Sequence, residues 1–326
     1  MSERAGPSIE AVDLAKTFRL GFRMKKVDAL RGASFSAAPG EIFGFLGPNG
    51  AGKTTSIKII VGLLRPTRGS CSLLGGSPFD LEARRRTGYL PETPYFYDHL
   101  LPEEFMDLCG RLRGLSRQER RKRGGELLEV VGLASSKDRP LRKFSKGMLQ
   151  RIGLAQALIG DPELLILDEP MTGLDPIGRK EVRDLIVDLR KRGKTIFFSS
   201  HILADVEMIC DRVAIIDKGR VVAEGALADL LSPAVRLVDI ELTSVSAELE
   251  ERIRKLADSV TVERGTHHVA VRGEEATSSV VRLAVEGGAR VDAVVPKRET
   301  LEALFVRRAL GMQEGEEASA PEPPSS

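Results

Sequence analysis

A glycine-rich loop between a short strand and a helix constrains this chain more than any other feature. The loop reads Gly47-Pro48-Asn49-Gly50-Ala51-Gly52-Lys53-Thr54-Thr55 and fits the pattern G-x-x-x-x-G-K-[ST]. A continuous apolar run, Ile42–Leu46, precedes it, and residues 56–64 carry apolar side chains at helical spacing. Glycines allow a sharp turn that points backbone N–H groups inward, at the positive end of the helix dipole. The loop is therefore predicted to bind phosphate.

The residues of this loop have separate expected roles. Lys53 is expected to reach the β- and γ-phosphates of a nucleotide, and the Thr54 hydroxyl to ligate Mg²⁺. The other loop residues expected to contact the nucleotide are Asn49, Gly50, Gly52 and Thr55. The alternative is a glycine-rich turn that contains Lys-Thr by chance, and the flanking strand and helix argue against it.

The length and composition bound the class of protein. A chain of 326 residues with 42% hydrophobic residues exceeds one ordinary domain, so two are expected. The net charge of +2 argues against a dedicated nucleic-acid binder. The widely spaced cysteines form no metal-ligand pattern and are interpreted as reduced thiols: Cys71, Cys109 and Cys210. No apolar run is long enough to span a bilayer, so any span is expected from another chain.

The order of apolar runs predicts an α/β core with insertions. The continuous runs are typical of strands buried on both faces of a parallel sheet: Ile42–Leu46, 164–167, 196–198 and 213–216. Helices are predicted after the phosphate loop, Pro176 and His201. Residues 9–37 are predicted to form an antiparallel flap. Residues 91–160 are predicted to form a helical insertion with helices at 104–112 and 126–131, the second ending at Gly132.

The C-terminal third has a different pattern. Strands are predicted at 236–242, 260–263, 268–271 and 290–295, and helices at 247–256, 276–286 and 300–309. The β-α-β-β-α-β order favours a small ferredoxin-like α+β domain. We therefore predict a nucleotide-binding domain over 8–232, an accessory domain over 233–311 and a disordered, Glu-, Pro- and Ser-rich tail over 312–326.

Two carboxylates follow the apolar run at 164–167. An unpaired charge at the end of a buried strand is energetically costly, so these acids are expected to have a function. Ligands bind at this edge of a parallel sheet, which favours a role in binding. Asp168 is expected to hold Mg²⁺ through its water shell, and Glu169 to polarise an attacking water. The alternative is a pair of exposed acids at a strand–loop junction.

Two further polar residues are candidates for contact with a phosphate. His201 follows an apolar run and can hydrogen-bond a γ-phosphate, although a lone histidine there is usually structural. Ser145 opens a predicted helix, where it is a good N-cap. In the functional interpretation, Ser145 and the Gly147 backbone face a phosphate. Because this chain already has its own phosphate loop, that phosphate would belong to a second subunit.

The order of these motifs resembles the nucleotide-binding subunit of an ABC transporter over about residues 8 to 225. The matching segments are Gly47–Thr55 (Walker A), 144–151 (signature), 164–170 (Walker B), 173–176 (D-loop, with Asp175) and His201 (switch histidine). The resemblance implies a P-loop NTPase fold, with ATP and Mg²⁺ as cofactors and ATP hydrolysis as the activity. It further implies a head-to-tail dimer with ATP between the subunits. This homodimer, or pair of related subunits, would drive separate transmembrane permease subunits at the cytoplasmic face of the membrane.

The signature segment departs from the usual Leu-Ser-Gly-Gly-Gln. Lys146 replaces the first Gly and Met148 replaces the Gln, while Ser145 and Gly147, the residues implied to face the partner's nucleotide, remain. Together with the C-terminal domain, this signature resembles the ATPases of ABC-2-type drug and polymer exporters.

Two further positions differ from the family pattern. Glu92 stands at the Q-loop position, where Gln is usual; it can still ligate Mg²⁺ but adds negative charge beside the phosphates. Phe18 stands where Tyr usually stacks on adenine, and it can stack without the hydroxyl.

Other interpretations remain open at this point. A soluble ABC-type ATPase acting on ribosomes or DNA is the main alternative, although such proteins typically carry two cores or long insertions. A P-loop kinase or GTPase fails on the signature helix and His201. The basic runs at 84–86 and 117–123 are interpreted as solvated helix faces, and the alternative is contact with a permease loop or lipid headgroups.

Overall fold

The computed structural model describes residues 6–20, 25–231, 237–297 and 301. The chain divides into two compact units, 1–227 and 228–326. The predicted boundary at 232/233, the predicted helix at 300–309 apart from Leu301, and the predicted disordered tail at 312–326 lie outside the described residues.

The first unit alternates strands and helices. Its strands are β1 (Ile9–Leu20), β2 (Lys25–Ala37), β3 (Ile42–Leu46), β4 (Arg68–Leu73), β5 (Thr87–Leu90), β6 (Leu164–Asp168), β7 (Thr195–Ser200), β8 (Arg212–Asp217) and β9 (Arg220–Ala226). Its helices are α1 (Lys53–Ile60), α2 (Leu81–Arg85), α3 (Pro102–Leu112), α4 (Arg117–Val130), α5 (Lys146–Leu158), α6 (Pro176–Lys191) and α7 (Leu203–Ile209). The short helix α8 (Leu227–Leu230) contains the point at which the two units divide.

The core of this unit is a six-stranded sheet in the order β5-β6-β7-β3-β8-β9. The strands are parallel from β5 to β8, and β9 pairs antiparallel with β8. Strands β3, β6 and β7 are buried at every position, which explains the run of apolar residues that each contains. The predicted parallel core is confirmed. The carboxyl ends of β3, β6 and β7 therefore meet at one edge, where the phosphate loop, Asp168 and His201 follow.

The predicted flap is an antiparallel sheet in the order β2-β1-β4. It packs on the core sheet through Phe35 of β2, whose ring centroid lies 4.7 Å from Phe45 and 5.9 Å from Phe197. The third strand, β4, was not predicted. Its sequence contains an arginine, a glycine and two serines, and its first three residues are exposed, so it lacks an apolar run.

The insertion between β5 and β6 is helical, as predicted, and the largest difference in a helix boundary is at the start of α4. Helix α4 begins at Arg117, well before the predicted start at 126. A capping box explains the earlier start: Ser116 Oγ accepts from Glu119 N at 3.3 Å, and Glu119 Oε2 accepts from Ser116 N at 2.8 Å. The polar residues of the first turns hid this helix from the apolar pattern. Gly132, at φ +69°, follows the end of the helix as predicted.

The second unit contains β10 (Leu237–Thr243), α9 (Ala247–Arg254), β11 (Ser259–Glu263), β12 (Thr266–Val271), α10 (Glu274–Glu286) and β13 (Arg290–Lys297). The strands form an antiparallel sheet in the order β11-β12-β10-β13. Ile240 and Val269 of the sheet and Leu249 and Val280 of the helices are among its buried core residues. The predicted β-α-β-β-α-β order is confirmed. Across the ranges the structure covers, no helix combines the length and apolar character that crossing a bilayer requires.

Candidate active site

The phosphate loop turns tightly around the amino group of Lys53. This side chain is 6% exposed, and its Nζ donates to Gly47 O at 2.7 Å and to Pro48 O at 3.3 Å. Gly52 has φ +115°, and a Cβ built there would lie 2.8 Å from Ala29 O, so the position requires glycine. Lys53 and Thr54 open α1, which places both side chains beside the N-terminal N–H groups of a helix.

Asp168 ends β6 as a buried carboxylate with one free oxygen. Its Oδ1 accepts from Ser199 Oγ at 2.7 Å and from Thr54 Oγ1 at 3.5 Å. Its Oδ2 is buried and has no hydrogen-bond partner among the residues that the structure describes. Burial raises the pKa of Asp168, and the hydrogen bonds from Ser199 and Thr54 oppose that rise. A buried carboxylate oxygen without a donor, beside a hydroxyl, suits a hard cation such as Mg²⁺.

Glu169 is held between a cation and an imidazole. Its Oε1 lies 3.2 Å from Lys53 Nζ, and its Oε2 lies 2.8 Å from His201 Nδ1. Thr172 Oγ1 also donates to Oε2, at 3.0 Å. The residue adopts φ +52°, a strained conformation for a glutamate, which turns the side chain back toward the phosphate loop. The structure therefore brings Lys53, Thr54, Asp168, Glu169 and His201 into one cluster.

Ser199 and Thr172 belong to this cluster, but the sequence analysis did not predict them as site residues. Ser199 Oγ donates to Asp168 and accepts from Glu169 N at 3.0 Å, so it fixes both acids. The register of the two strands could have identified Ser199, because it is the parallel partner of Asp168 near the ends of β7 and β6. Nothing in the local sequence distinguishes Thr172 from an ordinary loop threonine.

A second pocket brings together the signature and D-loop residues. It has a volume of about 390 Å³, and Ser145, Gly147 and Asp175 are among its lining residues. Ser145 Oγ caps α5 by accepting from Met148 N at 3.3 Å, and Asp175 Oδ1 caps α6 by accepting from Gly178 N at 2.8 Å. Both caps are complete structural roles, so a role toward a nucleotide stays a prediction for these residues.

The remaining predicted residues lie around the cluster. Asn49 and Gly50 are exposed in the phosphate loop, and Thr55 is half-buried in the first turn of α1. Glu92 is exposed in the loop after β5, and its charge contributes to the raised pKa of Asp168 after the larger effect of burial. Phe18 lies half-buried on β1, where Lys16 Nζ is 5.4 Å from its ring centroid. Contact of Phe18 with adenine stays a prediction.

Comparison with known proteins agrees with this geometry. The family model described as ABC transporter matches residues 30–172. An uncharacterized ABC transporter ATP-binding protein of Synechocystis sp. is 44% identical over 303 residues, 92% of this chain and 84% of that protein. A bacitracin transport ATP-binding protein of Bacillus licheniformis is 36% identical over 308 residues, 92% of this chain and 96% of that protein.

A solved structure extends the comparison to the fold. The dimeric structure of a post-hydrolysis state of an ATP-binding cassette bound to ADP and Pi superimposes with a TM-score of 0.62. It is 26% identical and covers 67% of this chain and 98% of that chain. The predicted P-loop NTPase fold and the predicted family are confirmed. The phosphate loop, the paired acids and the histidine agree with the family of the related proteins. The chain belongs to the ABC transporter ATP-binding proteins as an ATP-hydrolysing subunit.

Proposed function

We propose that this chain hydrolyses ATP to drive export through separate transmembrane permease subunits at the cytoplasmic face of the membrane. The observation that carries the proposal is the position of Glu169, fixed between Lys53 and His201 beside the buried Asp168. Relatives named for transport, such as the bacitracin transport protein, support export over an action on ribosomes or DNA. The cargo contacts would belong to the permease.

The phosphates of ATP would lie in the loop over Lys53 and the N-terminus of α1. Lys53 would exchange its bonds to Gly47 O and Pro48 O for the β- and γ-phosphates. Thr54 and Glu92, and Asp168 through a water, would hold Mg²⁺, which would neutralise charge that develops on the phosphate oxygens. The partnerless Oδ2 of Asp168 and the hydroxyl of Thr54 support this assignment.

Glu169 would act as the general base on the attacking water. The ion pair with Lys53 and the bond to Thr172 hold its carboxylate in one orientation. His201 would hold the γ-phosphate and the water, because its ring lies beside Glu169 with 39% of the side chain exposed. A proton accepted by Glu169 would leave the site through this exposed side.

A second subunit would complete each ATP-binding site. Ser145 and Gly147, with Asp175 beside them, would face the γ-phosphate bound in the partner's loop, and Phe18 would stack on adenine. The pocket that holds Ser145, Gly147 and Asp175 and the dimeric state of the related cassette support this arrangement. Whether the second subunit is identical or a related chain depends on the permease complex.

The test of the base is Glu169→Gln. The variant is expected to bind ATP, to lose turnover by about 10²- to 10⁴-fold, and to accumulate as a closed dimer in size-exclusion chromatography with ATP. The matched control is Glu163→Gln, an exposed acid whose partner is Arg86. Unchanged turnover in Glu169→Gln would exclude this residue as the base.

The test of export is separate. The tagged chain is recovered from detergent-solubilised membranes, and its co-purifying proteins are identified by mass spectrometry. A multi-span membrane protein at stoichiometric amount is the expected result. Recovery of ribosomes or DNA instead would contradict export while leaving the ATPase assignment intact.

A further inference from the structure

An arginine-lined pocket lies between α2 and the C-terminal end of α3, away from the residues assigned to ATP. It has a volume of about 440 Å³. Its lining residues include four arginines, Arg84, Arg85, Arg111 and Arg113, together with Leu81 and Leu112. No acidic residue is among the described residues that line it, so the pocket is a concentrated patch of positive charge.

Three of these arginines have no carboxylate partner among the residues the structure describes. Arg84 donates to Pro78 O at 2.9 Å and to Gly62 O at 2.8 Å. Arg113 donates to the carbonyl oxygens of Arg84 and Arg85, each at 3.2 Å, and to Thr87 O at 2.9 Å. Carbonyl oxygens accept from some N–H groups of Arg84 and Arg113 but do not neutralise the charges.

Arg85 and Arg111 are exposed members of the pocket whose side chains are not tied to backbone carbonyls within the described ranges. Arg85 is exposed, and within the described ranges no hydrogen bond or ion pair holds its side chain. Arg111 is 66% exposed and pairs with Asp107 of its own helix at 2.8 Å. Arg85 can therefore turn toward a ligand at no cost in internal bonds.

The uncompensated charges favour an anion in this pocket. Arg113 is half-buried, and burial lowers its pKa because the charged form loses solvation without gaining a counter-ion. Three guanidinium groups around one cavity also repel one another. A phosphate group would relieve both effects, because the planar guanidinium fork matches its oxygens.

The rim of the pocket indicates which phosphate it takes. Leu81 is 65% exposed and Leu112 is 81% exposed, so two large apolar side chains project beside the arginines. A free phosphate offers them no contact, whereas the interface of a bilayer takes aliphatic side chains and anionic headgroups together. The net charge of +2 is too small to draw the whole chain to an anionic surface, so this local patch would have to do so.

We propose that the pocket formed by Arg84, Arg85, Arg111 and Arg113 binds the phosphate of an anionic phospholipid at the membrane surface, with Leu81 and Leu112 in the headgroup layer. This lipid site is additional to the ATPase function and to any contact with a permease. Through this site the chain would bind the bilayer directly.

The experiment is flotation of the purified full-length chain with phosphatidylglycerol vesicles at low ionic strength. The test variant is the double substitution Arg85→Gln with Arg111→Gln, which leaves the carbonyl-bonded Arg84 and Arg113 in place. Because each cation near an anionic surface weakens binding about fivefold when removed, the partition coefficient is expected to fall roughly 25-fold. Leu112→Asn is expected to weaken binding about 10-fold through lost apolar contact.

The matched control is Arg117→Gln with Arg121→Gln, which removes the same charge from exposed positions of α4. Retained vesicle binding by this control, with loss in the Arg85 and Arg111 variant, supports the site. Inorganic phosphate that displaces the vesicles at low millimolar concentration would show a free-anion site and overturn the lipid assignment. Equal losses of vesicle binding in the test and control variants would also overturn the lipid assignment. So would a wild-type chain that does not bind the vesicles, or that binds only to a permease in neutral lipid. Basal ATPase activity of every variant checks that it is folded.

Discussion

At the scale of single residues, Gly47 lies so close to β8 that it leaves no room for a side chain. A Cβ built there would lie 2.3 Å from Ile216 O and 3.2 Å from Ala51 Cβ. Gly47→Ala is therefore expected to lower the free energy of unfolding by about 1–3 kcal/mol, because the loop and β8 must separate. Urea unfolding measures this change. The control is Gly125→Ala, in α4 with nothing within 4 Å, where a gain of about 0.5–1 kcal/mol is expected. Equal effects at the two glycines would contradict the contact.

Burial of the thiols makes a second prediction at this scale. Burial raises the pKa of Cys109 to about 11 and that of Cys71 to about 12, against 9.0 without burial. Two pKa units reduce the thiolate fraction about 100-fold, so at pH 8.5 iodoacetamide is expected to alkylate native Cys109 about 100-fold more slowly than the urea-unfolded chain. Peptide mass spectrometry gives the rate at each site. Equal native and unfolded rates would contradict the burial.

The same thiols give a pH dependence of stability. Above pH 9 the folded state holds protons that the unfolded state releases, because the folded pKa values of Cys71 and Cys109 are the higher ones. Stability from these groups is therefore full below pH 9 and is lost as the pH rises toward about 11 to 12.

At the scale of elements, two helix caps with the same geometry are expected to differ in function. Ser116 Oγ caps α4 and Ser145 Oγ caps α5, each by accepting from a backbone N–H at 3.3 Å. Ser116→Ala and Ser145→Ala are each expected to cost about 1 kcal/mol of stability. Only Ser145→Ala is expected to reduce ATPase turnover, because only α5 would point at a nucleotide. Parallel urea unfolding and ATPase assays separate the two effects, and equal turnover in both variants would contradict the role of Ser145.

Elements with strong local signals were predicted from the sequence, and those with weak signals were not. The buried strands β3, β6 and β7 each contain a run of apolar residues, so their existence follows from local sequence. Strand β5 has only four residues, and β9 is half-buried over most of its length, so neither gives a clear period. Pairing with a neighbouring strand, and not local sequence, makes them strands.

The site shows the same division. Lys53, Asp168 and Glu169 stand in motifs whose spacing predicts them. The bond from Thr172 to Glu169 and those of Ser199 to both acids depend on how separate segments meet, which a single sequence does not encode in any fixed spacing.

At the scale of the whole molecule, the proposed function requires one chain to carry two incomplete halves of an ATP site. The first half contains Lys53 and Glu169, and the second is the pocket with Ser145. In a head-to-tail dimer the first half of each subunit meets the second half of its partner, so the two defects are expected to complement each other. Equal amounts of Lys53→Ala and Ser145→Ala subunits would form dimers in which one site has both defects and the other has none.

Mixing these two impaired variants is therefore expected to add roughly a quarter of wild-type ATPase activity to their residual activity, since half the dimers are mixed and each has one intact site of two. The control mixture is Lys53→Ala with Glu169→Gln. Both substitutions fall in the first half of the site, so every dimer has two defective sites and activity is expected to stay at the level of the variants. Activity is measured after exchange of subunits without nucleotide. Recovery in both mixtures, or in neither, would contradict a site shared between subunits, because only a shared site distinguishes the two pairs.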